Sequence, residues 1–124
     1  MIKDLLQTCL DSVLYEKGVY VHEQKKSGPD ADEYVVYSMS GDTKESFADD
    51  EATVKSANVT VKYFYRESKL GNYASKVKVR EIETLIYETL EVNGFECLGP
   101  FDSGDIDGIG YMVTIFECKY WRVV

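Results

Sequence analysis

The stretch NVTVKYFYR, Asn58 to Arg66, decides the fold. Val59, Val61, Tyr63 and Tyr65 alternate with Asn58, Thr60, Lys62 and Arg66, and only Phe64 breaks the two-residue period of a half-buried strand. Upstream, Glu33 to Ser40 is rich in Tyr and Val, with Tyr34 and Val36 on one side and Val35, Tyr37 and Met39 on the other. That pattern predicts a strand with apolar surface on both faces. Between the two lies GDTKESFADDEATVKS, Gly41 to Ser56, where Asp42, Glu45, Asp49, Asp50 and Glu51 outnumber Lys44 and Lys55. It shows no sustained alternation and reads as a long acidic loop. Loops beyond about 12–15 residues are uncommon inside compact domains and are usually functional or disordered, so this segment is the first candidate for function.

Further out, Ile2, Leu5, Leu6, Cys9, Leu10, Val13 and Leu14 recur on one helical stripe, which Gly18 ends. Val19 to Gln24 predicts a short strand, and Lys25 to Ala31 a turn dense in breakers. Downstream, Asn72 is placed to cap a long helix with Val79, Ile82, Leu85, Ile86, Thr89 and Leu90 on its apolar side, ending at Asn93-Gly94. Lys76, Lys78, Arg80, Glu81, Glu83, Glu88 and Glu91 read as its solvated, mixed-sign side. Phe95 to Phe101 and Tyr111 to Arg122 then bracket the tip SGDIDGIG as a hairpin. The expected architecture is a single α+β domain over residues 1–124, with a mainly antiparallel sheet, two helices packed on one face, and the order α-β-β-β-α-β-β.

The chain has 124 residues, 44% hydrophobic and 29% charged, which suits one globular domain burying roughly two-thirds of its unfolded surface. A formal net charge of −8 argues against duplex binding, because DNA affinity comes largely from Lys and Arg neutralising phosphates. Ten tyrosines supply large amphipathic area suited to strands and interfaces. The three cysteines, Cys9, Cys97 and Cys118, form neither a complete disulfide framework nor a zinc spacing, and read as buried apolar residues in a reducing compartment. The opening MIKDLLQTCLDSVL has one lysine and no small-residue cleavage site, so it is not expected to be a secretory signal. No run reaches the length of a membrane-spanning helix.

His22 is the only histidine, so any Ser/His or Cys/His chemistry would depend on one ring that lacks a nucleophile motif beside it. Taking Ser103 as position 1 of a calcium loop puts Asp105, Asp107 and Gly108 at positions 3, 5 and 6, but position 12 is Thr114 where the bidentate Glu belongs. The glycines form neither a dinucleotide fingerprint nor a phosphate loop. No catalytic residue, metal ligand or cofactor site is expected, and the chain is not read as an enzyme.

The N-terminal helix, the Gly18-Val-Tyr20 and Tyr34-Val-Val-Tyr37 strands, the acidic segment, the Val59 to Tyr65 strand, the helix ending Asn93-Gly94-Phe95 and the Gly110-Tyr111 hairpin come in a telling order. That order resembles the small tail-completion proteins of long-tailed bacteriophages and prophages, the tail terminator or tail-to-head joining family. The resemblance implies a subunit that closes into a ring, typically a hexamer, at the head end of the tail tube. It implies contacts with its own copies, the tail-tube protein and the head connector, and a lumen through which DNA passes without specific binding. It also implies residence in the virion tail after assembly in the host cytoplasm, with no membrane partner. Asp42, Glu45, Asp49, Asp50 and Glu51, with Asp102, Asp105 and Asp107 of the second tip, are then the expected interface or lumen residues. Two other readings stand beside it, an acidic DNA-mimic inhibitor and a small ligand-binding α+β domain.

Overall fold

A computed structural model describes residues 2–23, 32–48, 51–104 and 110–123, with the backbone alone described at 2, 40–48, 51–56, 103 and 121–123. The first helix, α1 (Ile2–Leu14), buries Leu6, Cys9, Leu10 and Leu14 along the predicted stripe. A 3-10 turn follows, and Gly18 takes φ 76°, a left-handed conformation that lets its N–H reach the Tyr15 carbonyl at 3.0 Å. The short strand β1 (Tyr20–Glu23) comes next, then two long strands, β2 (Glu33–Ala48) and β3 (Glu51–Arg66). A second 3-10 turn leads to α2 (Tyr73–Val92), where the Asn72 side chain accepts from the Ser75 N–H at 3.2 Å as the N-cap. Strands β4 (Phe95–Gly104) and β5 (Tyr111–Val123) complete the fold.

The class is α+β, with two helices and one five-stranded sheet in the order β1-β2-β3-β5-β4. The sheet is mixed. Tyr20 to Glu23 pair in parallel with Tyr34 to Tyr37, while the other three strand pairings are antiparallel. Alternation in a sequence specifies which face a side chain takes and is silent about the direction of a neighbouring strand, so the parallel pair was not legible.

The acidic segment requires a correction. Residues 41–48 and 51–56, expected as loop, continue β2 and β3 as a paired ribbon, with Asp42 opposite Ala57, Thr43 opposite Ser56, Lys44 opposite Lys55 and Ala48 opposite Glu51. Once Val35 to Met39 have paired with Val59 to Tyr63, extending the ladder satisfies further backbone groups for little added closure entropy. That overrides the poor strand propensity of Asp, Glu, Lys and Gly. Register shifts between Met39 and Asp42 and on either side of Ser46 interrupt the alternation that would have revealed it. The Lys25 to Ala31 turn and the centre of the Asp/Gly tip lie outside the described residues.

One sheet face and both helices contribute to a single buried cluster. Val35 and Tyr37 of β2, Val59, Val61 and Tyr63 of β3, and Phe116 of β5 meet Leu6 and Leu10 of α1 and Ile82, Ile86 and Leu90 of α2. On the opposite face Phe64 stacks on Tyr34 with ring centroids 4.8 Å apart, and Tyr34 meets Tyr111 edge-on at 5.5 Å. Phe64 therefore breaks the sequence period because both faces of the sheet at this end are aromatic.

Candidate functional site

Three regions carry the side chains or backbone from which a function could be built: the β2–β3 ribbon, the outer strand β4, and a group of carboxylates beneath α2. The ribbon is the largest. β1 accompanies β2 only as far as Tyr37, so from Ser38 to Ala48 the outer edge of β2 has no strand partner among the described residues. At about 3.3 Å per residue that edge runs on the order of 30 Å. On the other side β5 follows β3 as far as the Val54–Val123 pair. Among the described residues the result is an arm whose outer N–H and C=O groups have no ladder partner, the kind of edge on which a further strand can pair.

At the other side of the sheet, β4 is also an edge, and its surface differs. Leu98 is 70% exposed and Phe101 50% exposed, on the face away from the helices, where Leu98 pairs with Glu117 and Phe101 with Ile115. Between them the register shifts at Gly99-Pro100. Gly99 has φ 106°, and a Cβ there would sit 2.9 Å from the Ile115 carbonyl oxygen, so the position admits only glycine without displacement. Pro100 has no backbone donor, which blunts this edge against strand addition and leaves its exposed apolar side chains as its distinguishing surface.

The carboxylate group was missed in the sequence. Glu83, expected on the solvated side of α2, is only 6% exposed; it accepts a hydrogen bond from the Thr114 hydroxyl and pairs with the Arg80 guanidinium at 2.6 Å. Its position was readable: Glu83 falls four residues after Val79 and three before Ile86, on the buried stripe. Glu33, also 6% exposed, accepts from the Tyr63 hydroxyl at 2.6 Å, with Lys78 Nζ 3.8 Å away. Burial, then the bond to Glu33, push the Tyr63 hydroxyl far above the usual tyrosine range, so it acts as a permanent donor. Among the described residues no buried side-chain nitrogen or oxygen is left unpartnered, and no group of His, Cys, Asp and Glu could hold a metal. The carboxylates are partnered by their own neighbours and tie α2 to the sheet. His22 stands in β1 beside Tyr34, with ring centroids 6.2 Å apart, on the face away from the helices, whereas Cys9 and Cys118 belong to the cluster beneath them. The sheet thus separates the histidine from those thiols.

Among the described residues, the acidic positions singled out by sequence are not brought into one site. Asp42 and Glu51 occupy paired positions on the ribbon, and Glu45 stands at the register shift between Lys44 and Ser46. Asp102 lies in β4 opposite Thr114, with β5 between it and the ribbon. Asp49, Asp50, Asp105 and Asp107 lie outside the described residues. The exposure of Leu98 and Phe101 had no sequence signal, because an outward apolar residue on an edge strand looks like any core residue. Among the described residues no helix is long and apolar enough to cross a membrane. The chain matches no protein-family model and no curated protein sequence.

Proposed function

We infer that this protein is a structural subunit of a long-tailed phage or prophage tail, one that closes into a ring, hexameric in keeping with the family it resembles, caps the tail tube and joins it to the head connector. The observation that carries this reading is the placement of two unlike surfaces at opposite edges of one sheet, the open β2 ribbon on one side and the apolar Leu98–Phe101 patch of β4 on the other. A patch that meets a different patch on the next copy gives a head-to-tail contact, and such contacts close into rings when the rotation allows. The tail-terminator arrangement, with two helices on one face of a mainly antiparallel sheet, belongs to the same reading. So do residence in the virion tail, assembly in the host cytoplasm, contacts with tail-tube and connector proteins, and the absence of an enzymatic role. The net charge of −8 suits the wall of a DNA conduit, since it repels phosphate instead of trapping it.

The test uses two crippled variants of the full chain, one lacking Glu45 to Glu51 and one carrying Leu98→Asp with Phe101→Asp. Wild-type protein should form rings visible by electron microscopy at high concentration. Each variant alone should keep a cooperative thermal unfolding transition and sediment as a monomer. Mixed, they should form a one-to-one complex, because each retains one half of the contact. A wild-type monomer or two-fold dimer at every concentration, or variants that still form rings, would refute the proposal.

A further inference from the structure

Cys97 and Cys118 face each other in register across β4 and β5, with their sulfur atoms 2.7 Å apart and both thiols free. Antiparallel partners have Cα atoms about 4.5 or 5.5 Å apart, and both spacings fall within the 4.4–6.8 Å range that a disulfide spans. Joining this pair therefore requires no rearrangement of the strands. Cys118 is buried, whereas Cys97 is half-buried and lines a cavity of about 420 Å³ together with Glu91, Glu96, Leu98 and Lys119. Cys97 is thus the more accessible residue of the pair and Cys118 the more buried. The Cys97 backbone N–H donates to Glu91 at 3.2 Å, which fixes the strand against the end of α2.

We propose that Cys97 and Cys118 form an oxidation site, in which a low-molecular-weight disulfide entering the cavity converts the two thiols into an intramolecular cross-strand disulfide. Cys97, as thiolate, attacks one sulfur of the reagent; the reagent's S–S bond breaks and its other half leaves as a thiol after taking up a proton. Cys118 then gives up its proton and attacks the Cys97 sulfur of the mixed disulfide, forming the Cys97–Cys118 bond and expelling the second half of the reagent as a thiol. The protein loses two protons and two electrons, and the reagent gains them. The Cys97 hydrogen bond, then burial, hold the Cys118 thiol well above the usual range, which agrees with Cys97 attacking first. The product staples the outer strand β4 to β5 beside Leu98 and needs no second copy of the chain.

The experiment treats the purified full chain with oxidised glutathione and reads intact mass and non-reduced peptide maps. The expected product has lost two hydrogen atoms, contains one linked peptide joining Cys97 to Cys118, and returns to the starting mass with dithiothreitol. Cys9→Ser should react as wild type, and Cys97→Ser, at the half-buried position, should give no intramolecular link. A glutathione adduct that persists on Cys97, a link to Cys9, a disulfide between two chains, or full recovery of unmodified protein would each overturn the assignment.

Discussion

Tyr63 and Glu33 show how one buried pair can govern stability at high pH. Burial first, and then a neighbouring carboxylate, raise the hydroxyls of Tyr37, Tyr63 and Tyr65 above their ordinary 10.0; for Tyr37 that neighbour is Glu23, for Tyr63 Glu33 and for Tyr65 Glu83. Burial likewise raises the Cys9 thiol above 9.0. A group that is neutral when protonated and whose pKa rises on folding holds its proton longer in the native state, so above the unfolded value the native chain binds more protons and stability falls as pH increases. The contribution is whole below pH 9 and is lost progressively above pH 9 to 10. Urea unfolding across the alkaline range should show this decline. Tyr63→Phe should flatten it and, by leaving the buried Glu33 without its donor, should cost about 1–3 kcal/mol at neutral pH. An unchanged alkaline slope in the variant would show that the Tyr63 hydroxyl does not contribute. Glu33 opened a strand pattern and Tyr63 sat in the clearest one, yet their meeting depends on the β2–β3 register, which no local pattern encodes.

At the scale of elements, the β4 edge is shaped by its bulge. Gly99→Ala would combine a strained positive φ with a Cβ 2.9 Å from the Ile115 carbonyl, and should destabilise the protein by about 1–3 kcal/mol, measured as a lower denaturation midpoint. A neutral result would mean that β4 can shift outward at this point. Both helices were legible because α1 and α2 keep a helical apolar stripe and a glycine stop. The ribbon was not. Its strands carry polar residues with register shifts, and Asp49-Asp50 is not the Asn-Gly or Asp-Gly pair that signals a tight hairpin.

For the whole molecule, net charge and edge geometry act against each other. Copies of a chain of charge −8 repel at low ionic strength, and the screening length falls to about 10 Å at 0.1 M salt and 3 Å at 1 M. If association rests on the ribbon edge and on Leu98 and Phe101, raising salt should increase the mean sedimentation coefficient at fixed protein concentration. A decrease with salt would show instead that ion pairs hold the copies together, and would favour contacts through the ribbon's charges.

By itself the sequence determined the α+β class, the two helices with their buried stripes, and the faces of the central strands. Each of these follows from a period of a few residues and from local capping chemistry. Only the tertiary structure decided that β1 pairs in parallel, that the acidic segment extends the sheet as a ribbon, that Glu83 meets Thr114, and that Cys97 faces Cys118. These outcomes depend on which strand lies beside which, and therefore on closing contacts between residues far apart in the chain. The same pairing sets the ribbon and the Leu98–Phe101 patch at opposite edges, a relation between β2 and β4 that no stretch of sequence contains.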